Sequence, residues 1–133
     1  MNDDITYVKE STIKGAGKGV FATRDIEKNT KVLEYTGKVV TSVSKTKKNG
    51  QYTIMVKNGY YIDGAEESKT NAHLVNDVYK TRRRTNLRWS IFYGNKEKGL
   101  TPRVWMVSTR KIKKDAELFI AYGDDYWYEH GKK

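Results

Sequence analysis

Apolar residues in this chain come in short bursts, each soon interrupted by glycine, asparagine or a run of charges. Bursts of β-branched and aromatic residues between turn formers predict strands, because such side chains fit a pleated, half-buried surface. Ile5 to Val8 is the first of these, followed by Val20-Phe21, Lys31 to Tyr35 and the short piece Val39-Val40. Gln51 to Val56 and Tyr60 to Asp63 flank Asn58-Gly59, a dipeptide that favours the two-residue hairpin turn matching strand twist. Ala65 to Val75 is the best helical candidate, with Glu66-Glu67 early, although its periodicity is poor. Leu87 to Tyr93, a loop from Gly94 to Pro102, the strand Val104 to Thr109 and a Lys-rich turn come next. Glu117 to Trp127 closes the series as an apolar and aromatic run broken at Gly123, which places Tyr122 at a strand end facing a cleft. Many short strands, several hairpins and little helix make a mostly β domain.

The 133 residues suffice for one hydrophobic core and not for two, so a single domain over residues 1–133 is expected. With no cysteine and only His73 and His130 as imidazoles, disulfides and thiolate metal sites are excluded and no metal is expected. No apolar run approaches the roughly 18 residues of a membrane span. Met1-Asn2-Asp3-Asp4 lacks the basic-then-apolar order of a secretory signal, which predicts a soluble, intracellular protein. Lys and Arg number 26 against 16 Asp and Glu, a net charge of +10 that favours an acidic partner such as nucleic acid. Much of the excess lies in Lys45 to Lys48, Lys80 to Arg84 and Lys132-Lys133, where solvated loops are the plain alternative.

Gly15, Gly17 and Gly19 allow close backbone approach or positive φ. Their G-x-G-x-G spacing before an extended segment is neither a dinucleotide fingerprint nor a phosphate loop. A simple hairpin turn explains them as well as ligand binding does.

Taken in order, five motifs resemble the SET domain of protein lysine methyltransferases. Gly15 to Ala22 looks like the N-terminal glycine motif, and Glu34-Tyr35-Thr36-Gly37 like E-Y-x-G. Tyr61 to Gly64 with His73 to Asp77 is similar to the stretch ending R-F-I-N-H-S, and Asn86 to the asparagine of an N-C pair. Glu117-Leu118 through Tyr122-Gly123 follows E-E-L-x-x-x-Y-G, and the Gly123 to Trp127 ending is similar to the small viral histone-lysine methyltransferases. Asp77 departs from the family's histidine, Val78 to Thr85 is a longer basic loop than usual, and no cysteine-rich zinc module flanks the domain.

The resemblance implies a mostly β fold of several short twisted sheets with one or two short helices and a threaded C-terminal segment. It also implies transfer of a methyl group from S-adenosylmethionine to a lysine amine of a histone tail or other protein. Free lysine, with a pKa of about 10.4, is unprotonated in only about one molecule in a few thousand near pH 7. Desolvation in an aromatic channel beside a sulfonium favours the neutral form. Tyr122, whose own pKa of about 10 makes it a poor base, would hold amine and methyl in line as the catalytic group.

By the same resemblance Ala16, Gly17, Lys18, Gly19, His73, Asn76, Tyr122 and Trp127 would meet the cofactor. Tyr52, Trp89, Ile120 and Tyr126 would meet the substrate. Core packing or a dimer contact is the alternative for Trp127, and a half-buried surface residue the alternative for His73. Ile120 stands where Tyr or Phe limits the number of methyl groups, which predicts activity beyond monomethylation. The family also suggests a nuclear or chromatin-associated enzyme and a homodimer. A charge of +10 is in tension with a basic histone substrate, and the tension eases if the basic loops touch nucleosomal DNA while Asp124, Asp125, Glu66 and Glu67 face the peptide. A different class of reading is a non-catalytic basic β module that binds nucleic acid through Arg82 to Arg84 and stacking tyrosines.

Overall fold

In a computed structural model, which describes residues 5–42 and 51–122, eight strands form three small antiparallel sheets. β1 (Thr6–Glu10) pairs with β2 (Lys18–Ala22) across the glycine-rich turn, with Val8 opposite Val20. β3 (Lys31–Glu34), β8 (Arg103–Ser108) and β7 (Leu87–Phe92) form a second sheet with β8 in the middle. β4 (Lys38–Val40), β6 (Tyr60–Asp63) and β5 (Thr53–Lys57) form the third, with β6 in the middle. Asn58-Gly59 turns β5 into β6 as its chemistry demands, Gly59 lying at φ +78°.

The three sheets bury one continuous cluster. Val20 and Ala22 from β2, Val32 and Leu33 from β3, Val104 and Met106 from β8, and Leu118 and Ile120 from the closing segment all lie within it. Alternation along β2 is lost because both of its faces are covered: Gly19 to Ala22 are all buried. No helix among the described residues is long and apolar enough to cross a membrane.

Two expected elements take other forms. Ala65 to Val75 is not a helix; only Ala72–Leu74 makes a single 3₁₀ turn. Side chains here capture backbone groups that a helix would need. Asp63 Oδ1 accepts from the Ala65 amide at 3.0 Å, and Ser68 Oγ donates to Thr70 O at 2.6 Å. Thr70 Oγ1 reaches Glu34 O at 2.6 Å, while Glu67 sits at φ +58°, outside helical geometry.

Glu117 to Tyr122 is extended but is not a strand of one ladder. It meets a different neighbour at each step, with single bridges from Phe21 to Glu117 and from Asn76 to Phe119. Leu118 N donates to Val20 O, and Ile120 N to Asn76 O. Asn86 holds it from the far side, donating through Nδ2 to Glu117 O at 3.0 Å and accepting from Phe119 N at 2.8 Å. The segment is thus threaded through the domain, as the resemblance implies, and Tyr122 belongs to this thread rather than to a strand of a sheet. The Gly94 to Pro102 loop also contains a 3₁₀ turn, Lys96–Lys98, capped by Asn95.

Candidate functional site

Three stretches distant in sequence meet beside this thread. The first is the turn between β1 and β2, where Gly15 and Gly17 lie at φ +81° and +75°. Nothing stands within 4 Å of where a Cβ would project from either, so the turn is open on that side. Ala16 is half-buried and Gly17 and Lys18 are exposed, with Gly17 O accepting from Ser11 N at 2.8 Å. Gly19 faces inward instead: a Cβ there would collide with Glu117 Oε2.

Glu117 organises this turn. Its buried carboxylate accepts from Ser11 Oγ at 2.7 Å, from Thr12 N at 2.9 Å and from Thr12 Oγ1 at 2.5 Å. Charge-assisted bonds of this kind are the strong ones, and together they fix where the turn begins. Asn76 completes the arrangement, its Nδ2 donating to Lys18 O at 2.9 Å and lying 3.5 Å from Glu117 Oε2. From outside, Arg83 of the basic loop donates to Thr12 O at 3.1 Å and also bonds Thr12 Oγ1.

The second stretch is Val75 to Asp77, and the third is Tyr122. The Tyr122 phenol donates to Val75 O at 2.8 Å. Its backbone N–H is held by Asp77 Oδ2, also at 2.8 Å, and Asp77 Oδ1 accepts from Tyr79 N at 2.9 Å. Glycine turn, Val75 to Asp77 and phenol therefore form one connected group.

An aromatic wall continues from Tyr122. Its ring meets Trp89 edge-on, centroids 5.5 Å apart, and Trp89 meets Tyr35 in the same way at 5.8 Å. Edge-to-face contacts use the complementary charge of ring edge and ring face. Trp89 Nε1 is satisfied by Ala121 O at 2.8 Å, which pins the indole to the residue before Tyr122. Tyr35 is buried and donates its phenol proton to Tyr52 O at 2.5 Å. Its place is set by β3, whose last residue, Glu34, takes a two-pronged bond from Arg103 at 2.8 and 3.0 Å. That bond raises Arg103 above its ordinary pKa. His73 joins the wall through Tyr52, rings perpendicular at 5.5 Å, and Gly64 makes room: a Cβ there would come within 2.6 Å of His73 Cβ.

The candidates named from sequence separate accordingly. Ala16, Gly17 and Lys18 share the turn that Asn76 joins to the Val75 to Asp77 stretch and so to Tyr122; Trp89 packs on Tyr122, and Tyr52 meets Tyr35 through its backbone carbonyl. His73 stands with Tyr52. Ile120 is 1% exposed and belongs to the core cluster. Trp127, Tyr126, Asp124 and Asp125 lie outside the described residues, as do the basic runs at 45–48 and 132–133. Among the described residues no three His, Asp or Glu side chains gather into a group that could hold a metal ion.

Residues 17–123 match the SET domain family. This chain belongs to that family. A histone-lysine N-methyltransferase, H3 lysine-37 specific, of Schizosaccharomyces pombe is 28% identical over 113 residues, 85% of this chain and 71% of that protein. The histone-lysine N-methyltransferase EZH2 of Chaetomium thermophilum is 25% identical over 131 residues, 88% of this chain and 8% of that protein. Among solved structures, ctPRC2 in an autoinhibited conformation bound to S-adenosylmethionine superposes with a TM-score of 0.70 at 25% identity, over 90% of this chain and 15% of that one. This SET domain thus spans well under two thirds of the EZH2 and PRC2 chains that it matches.

Four residues that shape this arrangement had no role assigned from sequence, Ser11, Thr12, Tyr35 and Glu117, and Arg83 was assigned only to nucleic-acid contact. Tyr35 and Glu117 lie inside recognised motifs, E-Y-x-G and E-E-L, so a signal for them existed. Ser11 and Thr12 carry none, and the basic run that contains Arg83 does not reveal its contact with Thr12, because these bonds join positions about 70 to 106 apart.

The turn is open at Gly15 and Gly17, and the Asn76 amide ties its inner edge to the thread.

Proposed function

We propose that this SET domain is a protein lysine N-methyltransferase that uses S-adenosylmethionine and acts on a histone tail or another basic protein segment. The observation that carries the proposal is the Tyr122 phenol, tied to Val75 O on one side and packed on Trp89 on the other, beside the Asn76 link to the glycine turn. The names of the fungal relatives and the S-adenosylmethionine in the PRC2 structure support the same reading.

In this proposal Ala16, Gly17, Lys18 and Asn76 hold S-adenosylmethionine, whose sulfonium supplies an activated methyl group. The wall of Tyr35, Tyr52, Trp89 and Tyr122 takes the lysine side chain. Its rings exclude water from the amine, which disfavours the charged ammonium and promotes proton loss. Tyr122, its hydroxyl turned to Val75 O, fixes one edge of the passage and keeps the nucleophile in line, a contribution of orientation rather than of basicity. Ile120 brings no hydrogen-bonding group to hold a bound water beside the amine. We therefore expect di- or trimethylated product.

Lys80, Arg82, Arg83 and Arg84 are exposed on the loop that reaches the glycine turn. They supply a basic surface beside the site, and we propose that it contacts DNA when the substrate is nucleosomal, with chromatin as the place of action. Such contacts weaken steeply with salt.

The test is a methylation assay with each core histone, free and in nucleosomes, read by mass spectrometry with matching Lys→Arg substrates. Methylation of one lysine beyond the first methyl group is expected. S-adenosylmethionine binding without methylation of any histone would remove the substrate class. Absence of binding, with salt-dependent DNA affinity retained, would favour the nucleic-acid module.

A further inference from the structure

Asp77 occupies a position where the family resemblance leads one to expect histidine, and its two carboxylate oxygens have separate tasks. Oδ1 accepts from Tyr79 N two residues on, at 2.9 Å, forming the side-chain turn that launches the basic loop. Oδ2 reaches across 45 positions to Tyr122 N at 2.8 Å. Two flanking bonds act on the same short piece of chain: Ile120 N donates to Asn76 O at 3.1 Å, and the Tyr122 phenol donates to Val75 O at 2.8 Å. Three consecutive residues, Val75, Asn76 and Asp77, thus hold Tyr122 and the chain just before it.

The three bonds differ in what they fix. The bond to Asn76 O sets the depth of the thread, and the phenol bond sets the tip of the ring. Neither fixes the Tyr122 backbone, from which the ring swings. A backbone N–H bonded to a carboxylate is charge-assisted and about twice as strong as a neutral pair. An imidazole at this position would offer that N–H one nitrogen, as an acceptor in one tautomer only, whereas a carboxylate accepts in either orientation.

We propose that Asp77 is a positioning residue for Tyr122: its carboxylate anchors the Tyr122 backbone so that the phenol stands at a fixed place beside Trp89 and Val75. The same carboxylate ties that anchor to the start of the basic loop through Tyr79. The catalytic part of this proposal rests on the methyltransferase reading; the anchor itself does not.

The test uses the full chain with Asp77→Ala and Asp77→Asn. In Asp77→Ala, kcat should fall about tenfold to a hundredfold, as expected when a reacting group is misplaced by about an ångström. S-adenosylmethionine affinity should change by less than about threefold, since a positioning role leaves ground-state binding nearly uniform. Asp77→Asn, whose carbonyl oxygen can still accept from Tyr122 N, should recover a large part of the rate. The ratio of mono- to higher methylated product should shift in Asp77→Ala, which a loss of folded enzyme cannot produce.

An activity-independent readout is the exchange of the Tyr122 amide with deuterium, followed by NMR. It should be protected in the wild type and exchange at least about tenfold faster in Asp77→Ala. Unchanged exchange overturns the anchor. Faster exchange with unchanged kcat and product ratio overturns the positioning role. A wild type that shows the protected amide but methylates nothing supports the anchor and overturns the enzymatic reading instead.

Discussion

The glycine turn and the aromatic wall are joined through Asn76, Val75 and Tyr122, and they are held by different kinds of force. The turn is short on apolar contact and is fixed by donors converging on the buried Glu117 carboxylate. The wall is held by ring packing and by backbone carbonyls that accept from its polar tips: Tyr52 O from Tyr35, Ala121 O from Trp89 and Val75 O from Tyr122. The difference suits their proposed tasks. A surface that receives a polar, charged ligand benefits from a pre-arranged polar backbone, whereas a passage that must strip water from an amine needs rings without stray hydrogen-bonding groups. Substitutions on the two sides should therefore separate cofactor affinity from turnover.

The largest effect should come from Tyr122→Phe. The ring contact with Trp89 survives and only the hydroxyl is lost. Turnover in a single-turnover assay should drop by about a hundredfold or more, because orientation of the reacting pair depends on that oxygen. Stability should change by only about 1 kcal/mol, the net worth of one hydrogen bond, and S-adenosylmethionine affinity should hold. Unchanged turnover would take Tyr122 out of the mechanism and reduce the wall to packing.

On the other side, Glu117→Ala leaves Ser11, Thr12 and Asn76 donors without their acceptor and opens space beside Gly19. Unfolding in denaturant should show a loss of about 2–4 kcal/mol, the sum expected when several donors to a charged group lose it. S-adenosylmethionine affinity should fall with it, while kcat at saturation changes little. The reverse pattern, lower kcat with intact affinity, would break the division between turn and wall.

Much of this division was legible in the sequence. Hydrophobic bursts and Asn58-Gly59 located the strands because strand patterning is local. The glycine motif brought Gly17 into the candidate set because a family resemblance carries positions that local patterning does not. Tyr35 and Glu117 lay inside the E-Y-x-G and E-E-L motifs without a role, since their partners are set by the whole fold. Ala65 to Val75 misled, since its side chains bond across to Glu34 and back onto their own turn, and neither contact is visible as periodicity. The closing segment looked like a strand for a related reason. Its extended shape is encoded locally, but the absence of a single pairing partner is a property of the whole fold. The anchor at Asp77 was equally hidden, as a departure from family pattern says that something changed without saying which amide the new group holds.

The smallest effects should give the sharpest separation, because each side has an exposed arginine at its margin. Arg83 braces the turn through Thr12, and Arg103 braces the wall through Glu34, the residue before Tyr35. Both guanidinium groups are exposed, with half of the Arg103 side chain accessible, so each contact stabilises the fold by less than about 1 kcal/mol. Neither substitution should shift the melting temperature much, which leaves function as the readout. Arg83→Ala should weaken S-adenosylmethionine binding by about twofold to fivefold, the factor that corresponds to such an energy, and leave kcat unchanged. Arg103→Ala should do the opposite, lowering kcat by a similar factor at unchanged affinity, since it frees the end of β3 from which Tyr35 supports Trp89 and, through it, Tyr122. Calorimetric titration beside a saturated rate assay decides between the two. If both variants moved the same parameter, turn and wall would be one mechanical unit, with Asn76 as the joint that couples them.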